Sequence, residues 1–359
     1  MYFKSNRTYS GEFESFGGDA RQTAISGGPG TVFLYHLKHK HRSLLISNAG
    51  RSPLPANQQV VNDFTDPSLI PGRAWLLPSV GNHSLGGKQN YSFEEVQIYG
   101  GAHLMVLTTP QNSSASIFFQ NMIGDRSGTI HVANNQTMDL LRKDIDLPFN
   151  VKVYRGGHLG LAPVTTIHGV SIQVEGVISH IRNLTLHHGG LLVLTENSRT
   201  GNEQNENDFK FDFINVQHQG ELRMRSSPAT SQGMNLTVKV LHIEGGGRVD
   251  ASDLKVKATN VSINAGGNFT FNGNGFSSEL AINKIHGGSI NHGLGLGSSG
   301  GASGGGHGGT GGRGETSSLV GQPYGNMYEP IEFGSSGDGP VSKAGDQSFF
   351  FIFVYLIHT

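Results

Sequence analysis

Apolar and polar residues alternate along much of this chain. Val170-Ser-Ile172-Gln-Val174, Leu184-Thr-Leu186, Phe209-Lys-Phe211-Asp-Phe213, Leu236-Thr-Val238-Lys-Val240, Leu254-Lys-Val256 and Val261-Ser-Ile263 all repeat every second residue. Period two sends successive side chains to opposite faces, so each run predicts a short strand with one buried and one wet side. Helical spacing, with apolar residues at i, i+3, i+4 and i+7, is almost missing. Met138-Asp-Leu-Leu-Arg-Lys-Asp-Ile145 is the one short candidate.

A second pattern orders these runs. Glycine followed by two alternating apolar residues occurs at Gly30-Thr-Val32-Phe-Leu34, Gly128-Thr-Ile130-His-Val132, Gly157-His-Leu159-Gly-Leu161, Gly190-Leu-Leu192-Val-Leu194, Gly220-Glu-Leu222-Arg-Met224, Gly247-Arg-Val249-Asp-Ala251 and Gly267-Asn-Phe269-Thr-Phe271. From Gly128 onward the intervals are 29, 33, 30, 27 and 20 residues, the range of a solenoid in which each repeat buries its apolar face against its neighbours. Between Gly157 and Gly267 there are about three short strands per repeat, joined by Gly, Asn or Ser corners. The prediction is an all-β chain: a right-handed parallel β-helix over residues 10–290, with glycine at corners where the backbone turns at positive φ. A β-sandwich is the alternative. It is disfavoured because Gly-Gly pairs precede strands rather than joining alternating ones as tight hairpin turns.

Two stretches interrupt the pattern. Residues 47–95, with Pro53, Pro55, Pro67, Pro71 and Pro78, read as an irregular insertion whose Trp75-Leu-Leu77 patch could dock on the solenoid. Residues 287–314 form a Gly-rich loop too poor in apolar surface to fold alone. A terminal segment follows at 315–345, and then an apolar tail at 346–359. The run Phe349–Ile357 in that tail is nine residues long, against roughly 20 needed to span a bilayer. It follows a Gly/Ser/Asp stretch without basic flanking residues, so it is expected to be a truncation or gene-model artefact rather than an anchor. The opening residues lack a signal peptide's apolar core, and the chain is expected to be a piece of a longer secreted or surface protein.

Composition narrows the functional classes. Charged residues make up 15% of the 359, glycine contributes 53, and 26 basic side chains nearly cancel 27 acidic ones. No field of one sign exists to recruit nucleic acid or an anionic membrane; Lys38-His39-Lys40-His41-Arg42 is the nearest to a basic block. There is no cysteine, and a stacked solenoid needs none. Nine Asn-x-Ser/Thr sequons, at Asn6, Asn82, Asn90, Asn112, Asn135, Asn183, Asn235, Asn260 and Asn268, exceed what composition alone supplies and point to a glycosylated extracellular surface.

The tract containing Gly306-His307-Gly308-Gly309, followed by Gly321-Gln-Pro-Tyr-Gly325 and Tyr328-Glu-Pro-Ile-Glu-Phe-Gly-Ser-Ser-Gly337, resembles large glycine-rich extracellular proteins of animals and plants. Gly28-Pro-Gly-Thr-Val-Phe-Leu34, with Ser43-Leu-Leu-Ile-Ser-Asn-Ala-Gly-Arg51 after it, is a second shared block. Coils in that family are similar to the pectin-lyase-like β-helix. The resemblance implies an extracellular setting and does not itself imply an activity.

Candidate chemistry is sparse. Asp250 and Asp253 could approach each other across a corner, and a carbohydrate-active β-helix enzyme would need two or three such carboxylates, with acid and base about 5 to 9 Å apart in the hydrolases. Gly306-His307-Gly308 matches a Gly-His-Gly element of polygalacturonase-like hydrolases, but the paired-Asp, Asn-Thr-Asp and Arg-Ile-Lys elements are missing. His36, His39 and His41 crowd one strand without an additional fixed ligand. His187 and His188 are neighbours, which period two places on opposite faces. Asn202-Glu-Gln-Asn-Glu-Asn-Asp208 offers oxygen ligands without EF-hand spacing, and Gly311-Gly-Arg-Gly314 lacks a Walker lysine. No catalytic, cofactor or metal residue is assigned. The expectation is a non-catalytic extracellular solenoid for adhesion or matrix contact, with a protein or glycan partner. It would bind no nucleic acid, and any membrane association would run through parts outside this chain. A polysaccharide lyase or glycoside hydrolase is the alternative.

Overall fold

A computed structural model describes residues 2–3, 29–50, 73–76, 89–106, 114–140, 144–195, 199–200, 208–225, 234–251 and 254–270. Among these residues there is no helix, and strands dominate. The chain divides into two compact units, Met1–Glu206 and Asn207–Thr359.

In the first unit, a nine-stranded sheet runs from Tyr2–Phe3 through Gly30–His36, His41–Ser47, Gln89–Tyr99, Ala115–Gly124, Gln136–Asp139, His158–Gly160 and Val177–Ser179 to Arg199–Thr200. A second wall stacks Arg73–Leu76, His103–Val106, Thr129–Val132, Asn150–Val153, Ser171–Val174 and Leu191–Thr195. A third stacks Asp144–Asp146, Val164–His168 and Asn183–His187. Pairing within these walls is parallel apart from Gly30–His36 against His41–Ser47, an antiparallel hairpin with His36 opposite His41. Parallel pairing of this kind tells against an antiparallel sandwich.

The register gives the true repeat. Thr129, Asn150, Ser171 and Leu191 occupy one column, 21, 21 and 20 residues apart. Asn150–Val153, His158–Gly160 and Val164–His168, one from each wall, fall within one such interval. The glycine intervals of 29 and 33 do not measure this period. Gly157 opens a strand of the nine-stranded sheet, whereas Gly128 and Gly190 precede strands of the second wall. Two glycine intervals thus cover three register spacings.

Parallel stacking in register lays like on like. Ile130, Val151, Ile172 and Leu192 form an apolar column no more than 1% exposed, and Val132, Val153, Val174 and Leu194 form a second, fully buried one. Burial of each such side chain contributes about 1.5–3 kcal/mol. In the third wall Thr165, fully buried in register between Ile145 and Leu184, donates its hydroxyl to the Ala162 carbonyl at 2.8 Å. Asn150 ties coils together: its Oδ1 accepts Ser171 N–H at 2.7 Å and its Nδ2 donates to the Gly128 carbonyl at 3.0 Å.

In the second unit, Asp208–Val216, Met234–Ile243 and Leu254–Ile263 stack in parallel, as do Glu221–Arg225, Arg248–Ala251 and Asn268–Thr270. The column Glu221–Arg248–Asn268 has the same spacings, 27 and 20, as the last two glycine intervals. The long strands change phase midway. Phe209 and Phe211 are buried, but Phe213 is only half-buried and Ile214 takes the core position. The register skips Asp212 at that point, and Lys239 Nζ pairs with Asp212 Oδ1 at 2.7 Å there.

Corners share one construction. Gly157 N–H bonds the Tyr154 carbonyl at 2.8 Å, Gly190 the His187 carbonyl at 2.9 Å, Gly220 that of Gln217 at 2.8 Å, Gly247 that of Glu244 at 2.9 Å and Gly267 that of Asn264 at 2.8 Å. Positive φ falls one residue earlier than expected, at Gly156, Gly189, Gln219, Gly246 and Gly266. Gly157, Gly190, Gly247 and Gly267 are needed for space: a Cβ on Gly157 would sit 2.6 Å from the Val132 carbonyl oxygen, and one on Gly267 2.8 Å from that of Ile243.

The helix candidate at Met138–Ile145 is not a helix. Its ends belong to strands Gln136–Asp139 and Asp144–Asp146, where Met138, Leu140 and Ile145 are buried. Within the stretch 47–95, Trp75 lies in Arg73–Leu76 and pairs in register with Met105. Residues 287–314, 315–345 and 346–359 lie outside the described residues.

One cross-strand ion pair in the first unit gives a pH prediction. Arg42 Nε and Nη2 grip both Glu94 oxygens, at 3.0 Å to Oε2 and 2.5 Å to Oε1, and Arg42 N–H adds 2.6 Å to Oε2. These bonds hold the Glu94 carboxyl at about 2, against an ordinary 4.5. A depressed pKa stabilises the fold above the unfolded carboxyl's range and loses that contribution as pH falls through the folded value. The pair is partly screened by solvent, so Glu94→Gln should cost about 1 kcal/mol at pH 7. Urea melts at pH 7, 4 and 3 should show the gap narrowing below about pH 4.5; a gap independent of pH would refute the assignment.

Candidate functional site

Outward-facing positions form polar columns as regular as the inner ones, because the same register stacks both faces. In the second unit Glu221, Arg223 and Arg225 lie beside Arg248 and Asp250. Arg223 grips Glu221 twice, at 2.8 and 2.7 Å, while Arg225 and Arg248 reach Asp250 Oδ2 at 2.8 and 3.1 Å. Those bonds to Arg223 hold the Glu221 carboxyl below its usual range. Asp250, only 4% exposed, is thus a member of an ion-pair lattice along the wall. Asp253, its suggested partner, lies outside the described residues, as do His307, Gly311–Gly314 and residues 202–207 of the acidic loop. Asp208 begins a strand and accepts Asn235 Nδ2 at 2.6 Å.

Histidines concentrate in the first unit, and they fall into distinct groups. His103 Nδ1 stands 3.0 Å from His131 Nε2, and His131 Nδ1 3.0 Å from the Tyr154 hydroxyl. His131 and Tyr154 are buried, and burial lowers the pKa of His103. The result is a hydrogen-bonded chain running across the wall. On the nine-stranded sheet, Asp139, Gly160 and Ser179 stack in register. The Ser179 hydroxyl lies 2.6 Å from His158 Nε2 and 2.9 Å from His180 Nδ1. A hydroxyl has one proton, so it donates to one ring and accepts from the other.

The third group contradicts the period-two argument for His187 and His188. His168 and His187 end adjacent strands in register, and their rings stack with centroids 4.5 Å apart and planes 22° from parallel. His188 follows at φ 47°. That left-handed turn breaks the alternation and brings its ring back beside its neighbour, with His187 Nδ1 and His188 Nδ1 2.7 Å apart. One nitrogen from each of His168, His187 and His188 lies within 4.8 Å of the others. Arg126 Nη2 lies 2.9 Å from His168 Nδ1 and 3.6 Å from Asp146 Oδ2, which is itself 4.0 Å from His168 Nδ1. Burial, then the nearby His168 and His188, lower the pKa of His187; Asp146 opposes them and Arg126 adds to them. The sequence carried one signal for this group, the His-His-Gly-Gly corner itself.

His36, His39 and His41 sit on the antiparallel hairpin, where His36 Nδ1 accepts His39 N–H at 3.2 Å. Of the sequon residues, Asn90, Asn135, Asn235, Asn260 and Asn268 are exposed and Asn183 is half-buried; Asn6, Asn82 and Asn112 lie outside the described residues. Asn135 occupies a corner at φ 60°. No family model, curated protein or solved structure matches this chain.

Proposed function

We propose that the chain is a right-handed parallel β-helix serving as a non-catalytic extracellular solenoid, a rigid polar surface for adhesion or matrix contact, of the kind its glycine-rich blocks resemble. The observation that carries this reading is the register. Between Thr129 and Thr195, strands 19 to 21 residues apart stack in parallel along three walls, with apolar columns on one face and hydrogen-bonded polar columns on the other. Such an outer face offers many weak, evenly spaced contacts to a protein or glycan. The ion-pair lattice around Asp250 supports a structural role for that carboxylate better than a general acid–base role.

Exposed sequon residues support an extracellular setting. Asn135 presents its side chain from a turn, as a glycan acceptor requires. Expressed behind a secretory leader in animal cells, the chain should lose mass on treatment with a glycan-removing enzyme, and Asn135→Gln should lose the mass of one glycan. A secreted product of unmodified mass would overturn the glycosylated-surface reading.

A further inference from the structure

We propose that His168, His187 and His188 bind one divalent transition-metal ion of the zinc class, with Asp146 behind them as the carboxylate that completes or orients the set. The site goes beyond the solenoid reading and would stand without it.

Three features of the fold build the site. Parallel register puts His168 and His187 on the same outward position of adjacent coils, so their imidazoles face the same way one strand spacing apart. The corner supplies the third ligand, because positive φ at His188 returns its ring to the side already occupied by His187. Lastly, Asp146, on the strand paired with Val164–His168, and Arg126, whose N–H bonds the Pro148 carbonyl, close one side of the group.

The dimensions suit an imidazole-bound ion. Zinc–nitrogen bonds of about 2.0–2.1 Å at tetrahedral angles require nitrogens roughly 3.4 Å apart. Here the nitrogen separations run from 2.7 Å for the His187–His188 pair up to a limit of 4.8 Å. Small side-chain rotations therefore suffice, without backbone movement. Imidazole suits zinc, copper, nickel and cobalt rather than calcium or magnesium, which prefer oxygen.

Arg126 bonds the His168 ring directly. A guanidinium only donates, so His168 Nδ1 accepts from it and carries no proton in this arrangement. Arg126 thus puts a positive charge where the metal's charge would otherwise sit. When an ion enters, like charges separate and Arg126 withdraws, at little cost because its side chain is 41% exposed. Asp146, 4.0 Å from His168 Nδ1, then either ligates the ion or accepts the His168 ring proton, as carboxylates behind metal-bound histidines commonly do.

The test uses the whole chain purified without a histidine tag. Calorimetric titration with zinc chloride should give one saturable equivalent with micromolar or tighter affinity, and cobalt(II) should develop the visible bands of a tetrahedral site. His168→Ala and His187→Ala should each weaken binding at least tenfold. His188→Asn, in which asparagine tolerates the left-handed backbone, should do the same, while His242→Ala leaves the equivalent intact. Arg126→Gln should tighten binding severalfold, which a purely structural hydrogen-bonded cluster would not do. If an alanine variant fails to fold, His188→Asn and Arg126→Gln decide the matter. No saturable equivalent, an equivalent indifferent to His188→Asn, or weaker binding in Arg126→Gln would each overturn the proposal.

Discussion

Gly190→Ala should destabilise the first unit by about 3 kcal/mol or more, whereas Gly189→Ala, one residue earlier, should cost only about 1–2 kcal/mol. The two glycines differ in physical role. Gly189 has φ 83° and open space around it, the nearest atom to a built Cβ being the Gly169 Cα at 3.9 Å. An alanine there carries only the penalty of the left-handed backbone. Gly190 is buried and has no such φ, but its Cβ would run into the Ile167 carbonyl of the preceding coil. That carbonyl belongs to the stacked backbone and has no rotamer to give way, so the coils themselves must part. Matched urea melts of the two variants measure the difference. Equal losses, or a larger loss at Gly189, would show that backbone conformation rather than coil spacing selects the repeated glycine.

That distinction marks where the sequence was informative. Alternation identified strands correctly at Val170–Val174 and Leu184–Leu186, because each short strand has one inner face and no phase change. It misled at Phe209–Phe213. There a single strand bends at Asp212, and Ile214 replaces Phe213 in the core. A period-two count has no means of seeing a bend that leaves no glycine behind.

The repeat length failed for a related reason. Gly157 and Gly190 carry the same local motif because both close the same kind of four-residue turn. Turns occur at more than one corner of a coil, so equal motifs need not lie one coil apart. Only the register, with Thr129, Asn150 and Ser171 in one column, separates the corners. Phe149 and Val170 hold the places equivalent to Gly128 and Gly190, one residue before that column, and no spacing rule would find them.

The histidine group was hidden by the same turn. Adjacent residues in a strand face opposite ways, and here that rule fails where φ becomes positive. His188 is such a residue, with glycine directly after it. Two neighbouring histidines at a His-His-Gly-Gly corner were therefore the available signal, and the partner His168 was visible only through the pairing of its coil with the next. Asp250 shows the converse. Its proximity to other charged residues was legible, but its two arginine partners, Arg225 and Arg248, come from register and turn its suggested role from acid to lattice member.

Ile172→Asp should prevent the first unit from folding, or cost more than about 4 kcal/mol if it folds, while Gln173→Asp should change stability by less than about 0.5 kcal/mol. Ile172 is fully buried between Val151 and Leu192 in the inner column. A carboxylate there meets only hydrocarbon from the coils above and below, and none of these neighbours can hydrogen-bond it. Gln173 is exposed between Lys152 and Val193 on the opposite face, where a new carboxylate stays hydrated and lies beside a lysine. The two substitutions introduce the same charge one residue apart, so composition, net charge and unfolded-state effects nearly cancel in the comparison. Circular dichroism and urea melts of both proteins report the outcome. Similar stabilities for the two would mean that the alternating faces do not separate core from solvent, and the stacked apolar columns could not be what holds the coils together.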